Sequence, residues 1–188
     1  MDDRTIVERC LQGQWGAYEF IVRRYQAHLV SLAWNLVGNV DDARDIAQDA
    51  LIQAFTRLRQ WDAERSFKAW LTAIAVHRGL DLLKKKRRFF AFFRQASRPE
   101  QVTSRSVPAA IEESLIFSRP LTRLTRKERA AIVLRINDDY SAAEIAEVLG
   151  CSETTARVHL LNAKRKLKRE LLRGEGRQDK EKSLGEKP

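Results

Sequence analysis

The stretch Tyr140–Leu167, YSAAEIAEVLGCSETTARVHLLNAKRKL, decides how this chain is read. Ser141 followed by Glu144 is a capping box, in which a hydroxyl and a carboxylate each satisfy a backbone N–H left unpaired at a helix start. The helix that opens there carries Ile145, Ala146 and Leu149 on one face. Gly150 ends it, because glycine takes the left-handed turn that a β-carbon resists, and the small Ala146 lets a second helix cross closely. Ser152 caps that second helix, which turns Ala156, Leu160, Ala163 and Leu167 inward and offers Glu153, Thr154, Arg157, Val158, Asn162 and Arg165 outward. A helix-turn-helix whose second helix is polar and basic points to DNA as a partner. An ordinary αα-hairpin with a solvated basic face has the same pattern, so the rest of the chain has to weigh between them.

Composition favours DNA. The chain has 188 residues, a formal net charge of +10 and a pI near 10.0, which suits a polyanion, either nucleic acid or an anionic membrane. No apolar run approaches the roughly 20 residues that span a bilayer, and Met1-Asp2-Asp3 is not a basic, hydrophobic leader. A cytoplasmic protein without membrane insertion is expected. Cys10 and Cys151 lie far apart, which supports neither a disulfide framework nor a thiolate metal site, and Cys151 is expected to fill a small buried slot after the turn glycine. His28, His77 and His159 fall in different helices without the HExxH spacing of a zinc site, and no glycine-rich phosphate loop or nucleophile elbow occurs. No catalytic residue, metal or cofactor is expected, and the chain does not read as an enzyme.

Upstream, the apolar residues keep a helical period. Tyr18, Ile21, Val22, Tyr25, Leu29, Leu32, Ala33 and Leu36 mark one helix, and Gly38-Asn39 breaks it. Ala43, Ile46, Ala47, Ala50, Leu51, Ala54, Phe55 and Leu58 mark the next, with Asp41, Asp42, Asp45 and Asp49 toward its start, where the macrodipole favours carboxylates. Phe67, Trp70, Leu71, Ile74, Ala75 and Leu82 mark a third, which runs into Lys84-Lys85-Lys86-Arg87-Arg88. Those cations suit a helix C-terminus and can grip phosphates. Phe89, Phe90, Phe92 and Phe93 follow, and packing back on the bundle is their expected fate ahead of a membrane surface. From Arg94 to about Ser118 prolines and serines replace the periodicity, as in a tether. Thr125 with Glu128 is a second capping box, opening a helix through Ala131, Ile132, Leu134 and Arg135. No segment shows the period-two alternation of a strand. The expected fold is all-α: two small helical domains, residues 10–93 and 119–173, joined by a flexible linker at 94–118 and followed by a disordered tail at 174–188. A partner alone would fix their relative orientation.

Taken in order, three segments resemble the bacterial extracytoplasmic-function (ECF) sigma factors of RNA polymerase, from Gln14 to Leu172. They are YEFIVRRYQAHLVSLAWNLVGNVDDARDIAQDALIQAFTRL, then WDAERSFKAWLTAIAVHRGLDLLKKKRR, then LTRLTRKERAAIVLRINDDYSAAEIAEVLGCSETTARVHLLNAKRKL. The resemblance implies a region-2 helical bundle, a linker and a region-4 helix-turn-helix. It implies a dissociable subunit, without catalysis of its own, that directs core RNA polymerase to promoters and supports DNA melting. Its partners would be the β′ clamp helices and β flap of core polymerase, promoter DNA and, as in many relatives, an anti-sigma factor.

On that resemblance Asp45, Gln48, Asp49 and Gln53 are the polymerase-docking candidates. The segment from Trp61 resembles the loop and helix start that capture an unstacked base of the −10 element, a task suited to aromatic and small polar side chains. Trp61, Arg65, Ser66 and Phe67 fall there, Phe67 and Trp70 also continuing the core stripe, and Lys68, His77, Lys84, Lys85, Arg87 and Arg88 could hold the nontemplate strand. Ser152, Thr154, Thr155, Arg157, Val158, His159, Asn162, Lys164, Arg165 and Lys168 are the −35 candidates. Arg157 can fork onto a guanine edge and Asn162 onto an adenine, while Lys164, Arg165 and Lys168 suit phosphates. The chain departs from the family at AERSF, where GESSF is common, and at His77, where asparagine is common. It reads TARVHLLNAK where TVRSRLHRAR is common, so Val158, His159 and Asn162 replace a serine and two arginines. Fewer phosphate contacts and a shifted base preference follow.

Two other readings stand beside this one. A stand-alone helix-turn-helix regulator would bind duplex DNA without polymerase, usually as a dimer on palindromic half-sites. A protein-interaction adaptor with merely solvated basic faces would show no salt-dependent DNA affinity.

Overall fold

Side-chain caps set most helix starts in the computed structural model, which describes residues 1–96, 121 and 123–185. Asp2 accepts the Thr5 N–H at 2.8 Å and opens α1 (Asp3–Leu11). A short 3-10 turn, Trp15–Ala17, leads into α2 (Tyr18–Val37), which Gly38 ends with φ 76°. Asn39 then accepts the Asp42 N–H at 2.9 Å and opens α3 (Val40–Thr56). A second 3-10 turn, Leu58–Gln60, precedes the loop that Ser66 closes by capping α4 (Phe67–Ala96). Thr125 and Ser141 form complete capping boxes with Glu128 and Glu144 at the starts of α5 (Arg126–Asp138) and α6 (Ala142–Leu149). Gly150, with φ 58°, makes the turn into α7 (Glu153–Gly185). Among the described residues every regular element is helical, and no helix is long and apolar enough to cross a membrane.

The first bundle packs α2, α3 and α4 around Ile21, Leu29, Leu32, Leu36, Ile46 and Leu71. Ala43, Ala47, Ala50 and Ala54 form the buried face of α3 and let it lie close. Gly79 does the same for α4, since a β-carbon there would stand 2.5 Å from Leu36 Cδ2. Helix α1 extends this bundle ahead of residue 10, where the sequence reading begins it. Nine residues are too few to hold a helix alone. It is held by burial of Ile6, Val7 and Cys10, by the Tyr25 hydroxyl donating to Asp3 at 2.5 Å, and by the Arg24–Asp3 ion pair.

The second bundle packs α5, α6 and α7 around Ala131, Leu134, Ile145, Ala156 and Ala163. Cys151 is half-buried rather than enclosed, its backbone N–H donating to the Ala146 carbonyl at 3.0 Å. The two bundles touch, with α5 against α2 and α4, and α6 against α4, where the sequence reading expects free domains on a tether. The linker expected at 94–118 lies, past Ala96, outside the described residues.

Two helices outrun their bundles. At 30 residues α4 is longer than α2 and α3, and toward its end Phe89 and Phe92 stand 61% and 70% exposed. Burial against the bundle, expected for Phe89, Phe90, Phe92 and Phe93, is not found for Phe89 and Phe92, and the other two rings lie outside the described side chains. Helix α7 continues to Gly185 through the segment expected to be disordered, whose Lys, Glu, Gln and Arg are good helix formers.

Candidate nucleic-acid interface

Helix α7 begins on Ser152, whose hydroxyl accepts the Thr155 N–H at 3.2 Å and bonds the Thr155 hydroxyl at 2.8 Å. Ala156, Leu160 and Ala163 fix which side faces the bundle. The opposite side exposes Thr154, Arg157, Val158, Lys164, Arg165 and Lys168, together with Leu161, which the sequence reading left out. Thr155, His159 and Asn162 are only half-exposed. His159 Nε2 is enclosed without a hydrogen-bond partner, and burial, helped by Lys127, lowers its pKa. A partly enclosed imidazole whose burial disfavours the charged form is a weaker phosphate contact than the exposed lysines and arginines beside it. Arg157 is held by Glu153 at 2.5 Å and must leave it to fork onto a base. Lys166, inside the same basic run, turns back to Glu128 with contacts of 2.9 and 2.7 Å and ties α7 to α5.

The second candidate surface is the loop before α4. Asp62 organises it: its side chain accepts the Glu64 N–H at 3.0 Å, its carbonyl accepts the Arg65 N–H at 3.0 Å, and Arg65 lies 3.5 Å from its carboxylate. Ser66 accepts the Ala69 N–H at 3.3 Å, which partly engages its hydroxyl as a helix cap. Phe67 is 2% exposed, in edge contact with Trp61 at 5.3 Å and tilted against Trp70 at 5.5 Å. It is a core residue that braces the two indoles, not a contact of its own. Trp61 and Trp70 line a cavity of about 500 Å³ with Gln60, Arg65 and Ser66, and the Trp61 Nε1 donor is buried without a partner. His77, Lys84, Lys85, Arg87 and Arg88 are exposed farther along α4.

Helix α3 presents two faces rather than one. Asp45 and Asp49 line a cleft of about 430 Å³ opposite Arg78, Lys84, Lys85 and Arg88 of α4. Asp49 lies 3.6 Å from Arg78, and Asp42 pairs with Lys86. Asp49 and Asp42 acquire these cationic partners because α4 runs beside α3. Gln48 lies on the other side, beside the 55%-exposed Ile52, and borders an apolar groove of about 730 Å³ walled by Trp15, Tyr18, Val30 and Phe55. Gln53 is half-buried and lines neither. The signal for this groove was Ile52, a large apolar residue on the outer face of α3.

The Sigma-70 region 2 family matches residues 21–89, and the Sigma-70 region 4 family matches residues 115–167. The ECF RNA polymerase sigma factor SigW of Bacillus subtilis (strain 168) is 27% identical over 176 residues, covering 88% of this chain and 94% of that protein. The ECF RNA polymerase sigma-E factor of Escherichia coli (strain K12) is 29% identical over 175 residues, covering 87% and 91%. The solved structure of CnrH in complex with the cytosolic domain of CnrY has a TM-score of 0.68 at 26% identity, covering 90% of this chain and 96% of that one. Two sigma regions in this order, on two helical bundles and with full-length relatives of the same kind, make the chain a member of the ECF sigma factors, which direct RNA polymerase to promoters.

Proposed function

We propose that this ECF sigma factor docks on core polymerase through the outer faces of α3, takes an unstacked −10 base at the Trp61–Ser66 loop, and reads the −35 element with the exposed stripe of α7. Region 2 then runs from α1 through α4, and region 4 from α5 through the first half of α7. The loop side of that cavity carries the reading: the indoles of Trp61 and Trp70 with polar Gln60, Arg65 and Ser66 beside them suit a base removed from its stack once Glu144, Glu147 and Val148 of α6, which wall the other side, have moved away. The exposed lysines and arginines of α4 offer the strand's phosphates a track leading away from that cavity. The chain contributes no catalysis and works in the cytoplasm, beside the polymerase and the DNA. The resemblance to CnrH, solved in complex with the cytosolic domain of CnrY, supports a second protein partner for this chain beside the polymerase, a place that an anti-sigma factor would fit.

Permanganate reactivity of −10 thymines in the holoenzyme tests the loop. Stacking on an aromatic ring contributes about 1–3 kcal/mol per base, so Trp61→Ala should lower opening several-fold while core binding persists, and Trp61→Phe should restore most of it. Unchanged reactivity in a folded Trp61→Ala holoenzyme would remove the loop from DNA capture.

A further inference from the structure

We infer that α7 reads the −35 element through thymine methyl groups: Val158 and Leu161 form an apolar line that seats on the C5-methyls of two neighbouring base pairs in the major groove. This rests on the assignment of α7 to the −35 element. Thr154, Val158, Leu161 and Arg165 follow one another at spacings of four, three and four residues, which keeps them on one line of the helix. That line lies opposite the buried Ala156, Leu160 and Ala163, so it stands farthest from the bundle. At its centre Val158 and Leu161 are each 48% exposed. Arg157, which is ion-paired with Glu153 at 2.5 Å, stands on one flank, so cations border the line rather than fill it. A helix that enters a groove carries its outermost line deepest, and here the centre of that line is hydrocarbon.

The chemistry of the groove selects the base. Among the four bases only thymine presents a methyl group in the major groove, whereas the purines present N7 and a second polar atom and cytosine presents an amino donor. The side chains of Val158 and Leu161 hold no polar atom. Against a purine or cytosine edge they would displace water and leave a donor or acceptor unsatisfied, which is a penalty and not merely a weaker contact. Against thymine they bury a methyl group that water otherwise surrounds. Three residues advance a helix by about 4.5 Å. Stacked base pairs are about 3.4 Å apart, so the two side chains meet consecutive pairs.

The test uses holoenzyme assembled from core polymerase and the full chain. It first selects templates from a library randomised across the −35 and −10 elements. The selected promoter is then synthesised with thymine throughout, with uracil at the −35 thymines alone, and with uracil only outside both elements as the control. Uracil keeps the pairing edge of thymine and removes the methyl group alone. The selected −35 element should hold thymine, on either strand, at two consecutive pairs. Holoenzyme should bind about fourfold more weakly for each methyl removed there, the ratio that burial of one methyl-sized group gives. The control uracils should change nothing. Val158→Ala and Leu161→Ala place a good helix former at exposed positions, and each should lose its sensitivity to uracil at one of the two pairs while keeping it at the other. Uracil without effect, or full sensitivity retained in both variants, overturns the inference. Weaker association of either variant with core polymerase would make the line a protein contact and overturns it as well. If no −35 sequence is selected, the assignment of α7 falls and the methyl reading with it; a selected element indifferent to uracil leaves the assignment standing and removes the methyl reading alone.

Discussion

Lys166→Ala should loosen the seating of α7 without touching any surface offered to DNA. Glu128 has a side chain only 6% exposed, and its carboxylate accepts Lys166 through both oxygens, at 2.9 and 2.7 Å. Burial alone would raise the Glu128 pKa, but Lys166, together with the Thr125 N–H at 2.8 Å, outweighs it and holds the carboxyl below its ordinary 4.5. Removing Lys166 leaves Oε1 enclosed with no other partner. Breaking a fully buried pair costs about 3–5 kcal/mol, and the 30% exposure of Lys166 lets water offset part of that, so the expected loss is about 2–3 kcal/mol. Alanine is the best helix former, so helix propensity cannot account for the loss. Native-state hydrogen exchange reads it locally: amides of α5 and α7 should exchange about 30- to 150-fold faster, since each 1.4 kcal/mol is tenfold, while those of α2 and α3 hold. The folded pKa lies below the unfolded one, so this stability is present above pH 4.5 and is lost as pH falls through the folded value. The gap between variant and wild type should narrow accordingly. No local acceleration at neutral pH would show that the pair does not seat the helix.

Other outcomes follow from the same geometry. Ile52→Lys, and separately Asp45→Lys with Asp49→Lys, should each weaken core association about tenfold in fluorescence titration, as for a desolvated hot spot; unchanged affinity in a folded variant would free that face of α3 from docking. Arg157→Ala should cost about 1–3 kcal/mol at one −35 position in a randomised library, whereas Lys168→Ala should weaken all sequences alike and flatten the salt slope by about one unit. A uniform loss for Arg157→Ala would make it a backbone contact. Burial lowers the pKa of His28, with Asp138 opposing and Lys68 assisting, and burial also lowers that of His159, so stability tied to the neutral rings is full above pH 6.5 and lost as pH falls through their folded values. Denaturation should show stability declining as pH falls below 6.5, and His28→Gln should flatten part of that decline; an unchanged slope would remove His28 as a contributor.

What could be read from sequence was local. Ser141 with Glu144 and Thr125 with Glu128 announce helix starts because a cap needs only residues three apart, and Gly150 announces a turn because the backbone there is left-handed. What could not be read depends on which helix lies beside which. Nothing in the sequence says that α4 brings Arg78 to Asp49, that α5 offers Glu128 to Lys166, or that Asp138 meets Lys68, 70 positions earlier. The recognition stripe fell between these cases. Periodicity named Ala156, Leu160 and Ala163 as inward, but residues on the flanks of that stripe, His159 and Asn162, take their exposure from how α7 rolls against α5 and α6. Ile6, Val7 and Cys10 carried a short amphipathic pattern behind Asp2 that could have revealed α1.

Run-off transcription tests the central claim most directly. Core polymerase is mixed with this chain on a template library randomised across the −35 and −10 elements, and the transcripts are sequenced. Core with the chain should yield transcripts with a fixed start whose templates share both elements at a constant spacing, and core alone or the chain alone should yield none. Selective binding of duplex DNA by the chain alone, with no added initiation by core, would contradict the account and return the protein to the class of stand-alone helix-turn-helix regulators.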